Sequence, residues 1–152
     1  MFTLLFLNTN FRDLMINNKI NPIVNQFEIT PFYQQHFAHD YMTTKGILTE
    51  SWAPFAEGEK GLFQNPTLVE IANKYQHSVA QVVLCWLIQR GIIVIPKLVN
   101  PDRVEENFKV FDFELSTKDM KTIHSLDTVQ SQFFSYHDPD QVERNSGLKL
   151  KD

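Results

Sequence analysis

The stretch from Ser78 to Pro96, SVAQVVLCWLIQRGIIVIP, constrains the fold more than any other part of the chain. Ser78 with Gln81 three residues on is a capping box, and Val79, Val82, Val83, Trp86 and Leu87 then recur at the spacing of one helix face. Gly91 stops that helix. Ile92 to Pro96 follows as a β-branched run without polar alternation. A strand apolar on both sides belongs in a parallel sheet covered by helices. A helix that leads into such a strand is one unit of an α/β fold.

The rest of the chain continues the alternation. Pro22 to Phe27 and Gly46 to Trp52 are further candidate strands, and Phe2 to Leu7 is a fourth. Asn65-Pro66 and Asn100-Pro101 each place a good N-cap before a proline at the first helical position. Ser116 opens another helix with Met120, Ile123 and Leu126 on its apolar side, and helical spacing runs from about Pro31 to Lys45. Four strands fit either a small doubly wound sheet or part of a barrel, and the pattern leaves both open.

At 152 residues and 43% hydrophobic, the chain is expected to form one domain, residues 1–152, with residues 128–152 as a C-terminal tail. The apolar start lacks the cationic lead and cleavage site of a secretory signal, and no run approaches the roughly 20 apolar residues of a membrane-spanning helix. The lone Cys85 cannot form an internal disulfide, which predicts a cytoplasmic protein. A net charge of -4 with scattered Lys and Arg lacks a basic stripe, so nucleic acid is not an expected partner.

One segment carries a chemical signal. The strand ending at Pro96 is followed by Lys97, and a helix starts after Asn100 with Arg103 in its first turn and Asn107 one turn later. Free N–H groups, a helix N-terminus and two cations suit a phosphate. A capped surface helix with solvated charges fits the same residues. His36, His39 and Asp40 could face one another on a helix, but without an HExxH pattern a solvated face is expected rather than a metal site. Cys85 within VVLCWL reads as a buried apolar residue.

The segments VNQFE (Val24 to Glu28), KGILTESWAPFAEG (Lys45 to Gly58), SVAQVVLCWLIQRGIIVIPK (Ser78 to Lys97), PDRVEENFKVFDFELS (Pro101 to Ser116) and DMKTIHSLD (Asp119 to Asp127) together resemble the aldo-keto reductase family. The likeness runs from about Asp13 to Asp138. It implies a (β/α)8 barrel that binds NADPH at the C-terminal ends of its strands. A barrel of that kind needs about 250 residues, so the resemblance implies a partial barrel, about strands 5 to 8 with their helices.

The resemblance also implies roles for particular residues. Lys97, Arg103 and Asn107 match positions that hold the 2′-phosphate and adenine end, and Glu106 matches an adenine contact. Leu98 stands where relatives carry a hydroxyl, which implies a weakened preference for NADP over NAD. Gln26 matches a residue that bonds the nicotinamide carboxamide, and Asn10, in Thr9-Asn10-Phe11, matches a second. A satisfied polar group at a strand end is the alternative for Gln26. Trp52 matches an aromatic that stacks on the nicotinamide ring, the alternative being a core aromatic. Pro54, Phe55 and Gly58 match the loop that passes the pyrophosphate, and Phe133 to Asp138 match a segment that walls the substrate pocket.

The family's catalytic Asp, Tyr, Lys and His are supplied after earlier strands, so no catalytic residue is assigned here. Tyr33, Tyr41, Tyr75 and Tyr136 are expected to pack with solvated hydroxyls. The expectation is therefore a truncated, cofactor-binding portion of an oxidoreductase that reduces small aldehydes or ketones only when completed. A separate N-terminal half or self-association would supply the partner. The alternatives are a non-catalytic nucleotide-binding half-barrel and a truncated gene product.

Overall fold

The computed structural model describes residues 3–4, 8–58, 61–96 and 101–133. The elements follow as β1 (Thr3–Leu4), α1 (Asn8–Asn17), β2 (Val24–Glu28), α2 (His36–Thr44), β3 (Leu48–Trp52), α3 (Pro66–Tyr75), α4 (Val79–Gln89), β4 (Ile92–Val94), α5 (Pro101–Phe108) and α6 (Thr117–His124). The strands pair in parallel, in the order β1-β2-β3-β4. A doubly wound sheet would reverse its strand order at a switch point and carry helices on both faces. Sequential order without reversal is the winding of a barrel segment, which answers the alternative the sequence left open.

Register sorts the side chains into two faces, because strand residues alternate. Asn25 and Thr49 are partners, as are Gln26 and Glu50, and Glu28 and Trp52. The face of Asn25 and Thr49 meets α2: Asn25 Nδ2 reaches Met42 Sδ at 3.8 Å, and Thr49 Oγ1 lies 3.1 Å from His39 Nδ1. Phe27 and Ile92, from that same face, join Met42, Val83, Trp86 and Leu87 in the core. The opposite face carries Gln26, Glu28, Glu50 and Trp52.

Helix ends follow their caps. Asn65 Oδ1 accepts from the N–H groups of Thr67 and Leu68, with Pro66 opening α3. Ser78 and Gln81 form the reciprocal capping box of α4. Ser116 Oγ caps α6 by accepting from Asp119 N. Asp119 also staples α6 to α3, since its Oδ2 accepts from Lys74 Nζ at 2.6 Å, Tyr75 Oη at 2.6 Å and Ser116 Oγ at 2.5 Å. The Tyr75 hydroxyl also accepts from Ser116 N at 2.8 Å. It is thus bonded within the protein rather than solvated as expected.

Two further expectations are corrected. The helix expected from Pro31 starts only at His36, because Thr30 Oγ1 accepts from the N–H groups of Phe32 and Tyr33 and holds a turn there. Gln35, with φ 49°, then redirects the chain into α2. The imidazoles of α2 do not form a solvated face. His39 Nε2 meets the Arg90 carbonyl at 2.9 Å, and His36 Nε2 meets Gln34 Oε1 at 3.0 Å. Burial, and then the Arg90 guanidinium, lower the pKa of both rings. His39 thereby ties α2 to the end of α4, and His36 ties the start of α2 to the loop before it.

Candidate functional site

The polar sheet face gathers two of the expected binding residues. Gln26 is half-buried in the middle of β2, and its Nε2 donates to Glu50 Oε1 across the sheet. Glu50 is itself 7% exposed. With the amide nitrogen committed to that carboxylate, the Gln26 carbonyl oxygen is oriented as an acceptor. Trp52 ends β3 on the same face, one residue pair further toward the C-terminal rim. It is half-buried rather than a core residue, and Phe133 packs on its ring at 4.7 Å with a 50° tilt.

Beside Trp52, Glu28 ends β2 and is only 3% exposed. Its carboxylate accepts from Ser131 Oγ at 2.6 Å and from Gln132 N at 2.8 Å. The chain leaving α6 is thereby drawn over the strand ends. Its other end is fixed where Thr128 N and Oγ1 both donate to the Phe32 carbonyl, at 2.8 and 2.7 Å. Sequence reasoning did not single out Glu28 or Glu50; the signal was two carboxylates inside otherwise buried strands, which need dedicated partners.

The loop after β3 is backbone-strained. Ala53, Ala56 and Glu57 hold φ near 49°, 49° and 54°, the left-handed region that non-glycine residues rarely adopt. Ala56 N donates to Ala53 O and Gly58 N to Phe55 O, which closes the loop tightly. Pro54 is buried, and the half-buried Phe55 ring meets Phe63 at 5.8 Å. Strain of this kind is characteristic of sites that approach a ligand closely.

The expected phosphate end is only partly described. Lys97, Leu98 and Asn100 lie outside the described residues, and Arg103 falls in the first turn of α5. Glu106 and Asn107 are half-buried, and α5 is anchored where Gln81 Nε2 donates to the Glu106 carbonyl at 2.8 Å. Asn10 lies within α1, which follows β1. Residues 134–138 of the expected pocket wall lie outside the described residues; Phe133 is within them. Cys85 is buried, and burial raises its thiol pKa, which keeps it unreactive. Among the described residues no helix is long and apolar enough to cross a membrane, and no group of three or more His, Cys, Asp or Glu could hold a metal.

A sequentially wound parallel sheet covered by helices is a segment of an α/β barrel, and here its strand ends carry a polar and aromatic cluster. Residues 10–128 match the Aldo/keto reductase family, and the chain belongs to that family. It is 44% identical over 108 residues to the methylglyoxal reductase DkgA of Yersinia pestis, a match covering 71% of this chain and 39% of that protein. It is 42% identical over 119 residues to aldose reductase B of Dictyostelium discoideum, covering 78% and 38%. Among solved structures, the aldo-keto reductase MGS-M4 from a deep-sea metagenome library superposes with a TM-score of 0.83 at 40% identity, covering 88% of this chain and 50% of that one. A variant of Gox0644 in complex with NADPH superposes at 0.80 with 35% identity, covering 90% and 49%. The chain thus spans about two fifths of the curated relatives and about half of the solved neighbours.

Proposed function

We propose that this chain is the NADPH-holding portion of an aldo-keto reductase barrel, corresponding to about strands 5 to 8. The observation that carries the reading is the superposition on an NADPH complex over nearly the whole chain, with Gln26 and Trp52 one residue pair apart on the same sheet face. The residues fit such a cofactor chemically. Gln26 presents an oriented carbonyl acceptor, suited to the N–H of a carboxamide, and Trp52 offers a flat ring at the strand ends. Lys97 and Arg103 supply the cations for a 2′-phosphate, with Glu106 and Asn107 toward the adenine. Asn10 is a second residue for the carboxamide, and Pro54, Phe55 and Gly58 belong to the loop that passes the pyrophosphate. Leu98 removes one hydroxyl ligand of the 2′-phosphate, which narrows the preference for NADP over NAD.

The cofactor supplies a hydride to a carbonyl carbon when bound. This segment orients the nicotinamide end and excludes water from one side of it, while proton donation to the carbonyl oxygen needs the Asp, Tyr, Lys and His of the barrel's N-terminal half. Among the described residues none stands in for them, and on this reading the segment alone reduces nothing. The partner surface is the open sheet: Ile23, Leu48 and Ile95 are exposed by 58%, 49% and 63%. Unpaired edges and exposed apolar residues favour association, either with an N-terminal half or with a second copy. Loss of NADPH absorbance with methylglyoxal tests this. The chain alone should give none, and addition of an N-terminal half from a relative such as DkgA should restore it. Turnover by the chain alone would overturn the assignment.

A further inference from the structure

We infer that Glu28 is a positioning residue for Trp52, acting through residues 127–133 as a strap across the strand ends. Glu28 and Trp52 are register partners at the ends of adjacent strands. Among the described residues, the hydrogen bonds to the buried Glu28 carboxylate come from the strap, through Ser131 Oγ and Gln132 N. Ser131 Oγ also accepts from Phe133 N at 3.2 Å, which sets the direction in which Phe133 leaves the latch. The Phe133 ring then rests on Trp52 at 4.7 Å. The chain of contacts is closed: Glu28 holds Ser131, Ser131 orients Phe133, and Phe133 restrains the indole of Glu28's own strand partner.

The strap is held against a local cost, which makes the latch necessary. Val129 has φ 56°, an outlying conformation for a β-branched residue. Asp127 Oδ1 accepts from Val129 N at 2.9 Å and from Gln34 N at 3.2 Å, fixing the strap's start to the loop before α2. A strained segment pinned at its start requires a second anchor to lie flat. A buried carboxylate is a strong one, since leaving it unpaired is costly.

This inference deepens the cofactor reading, on which the functional meaning of Trp52 rests, but its first test is independent of cofactor. Trp86 is 1% exposed, so acrylamide quenching of tryptophan emission reports Trp52. Removing charge-assisted bonds of this type shifts a docked-to-open ratio by about ten-fold. Glu28→Ala should therefore speed hydrogen exchange at the Gln132 amide by that factor and raise Trp52 quenching to the level of Phe133→Ala. Ser131→Ala, at a half-buried site, should do the same and covers the case in which Glu28→Ala fails to fold. The Glu28→Ala/Phe133→Ala pair should quench no more than Phe133→Ala alone, with exchange in α4 unchanged. Unchanged Trp52 quenching in both single variants, or additive quenching in the pair, overturns the inference. NADPH titration of the same variants separates the two readings. Weaker binding in step with quenching supports both, whereas the expected quenching with no NADPH binding by any form supports the strap and overturns the cofactor assignment.

Discussion

Asp119→Asn removes the charge at the centre of the α3–α6 staple while nearly preserving shape. Burial alone would raise the carboxyl pKa; hydrogen bonds from Lys74, Ser116 and Tyr75 and the Lys74 charge reverse this and hold it at about 2, against an ordinary 3.8. That difference corresponds to at most about 2.5 kcal/mol. Lys74 is 51% exposed, so water screens the pair and the realised loss is about 1–2 kcal/mol. For a chain of this size that lowers Tm by roughly 3–6 °C. The sign follows from a folded pKa below the unfolded one: the contribution is complete above about pH 4 and is lost as pH falls toward 2. Thermal melts followed by circular dichroism at neutral pH and near pH 2 test this. The wild type should exceed Asp119→Asn at neutral pH and converge with it at the acid end. Equal Tm values at neutral pH, or a gap that persists undiminished at pH 2, would refute the reasoning.

Other outcomes follow from the same contacts. His36 and His39 have folded pKa values below the ordinary 6.5, so stability should fall as pH drops through that value, and His39→Gln should flatten this part of the pH–Tm curve. Gln34 is fully buried, and its Nε2 donates to the carbonyls of Pro31 at 2.7 Å and Ile123 at 2.6 Å. Gln34→Leu strands those acceptors and should cost about 1–3 kcal/mol in denaturant unfolding, with a near-neutral result counting against it. In sedimentation velocity the isolated chain should run as an oligomer or aggregate, and a monodisperse monomer would contradict the open-edge account.

Local signals in the sequence were read correctly where a cap or a breaker sits beside the element it controls. The Ser78–Gln81 box, Asn65-Pro66 and Ser116 all cap helices where expected. Strand cores were legible from their apolar runs, but their ends were not. β2 begins at Val24 rather than Pro22, and β4 stops at Val94 rather than Pro96, because pairing with neighbours sets those limits. Gln26 and Trp52 were found through resemblance, and the structure sets them on one face. The Glu28 latch was not visible, since its partners stand more than 100 residues away in sequence. The left-handed residues at Ala53, Ala56 and Glu57 were hidden for another reason: no glycine marks their positive φ.

The central claim is that this segment holds NADPH, and titration of NADPH against the chain, following cofactor fluorescence, tests it most directly. The account predicts a saturable change that disappears in the Lys97→Ala/Arg103→Ala variant. No saturable change for the wild type, or undiminished binding by the double variant, would contradict it.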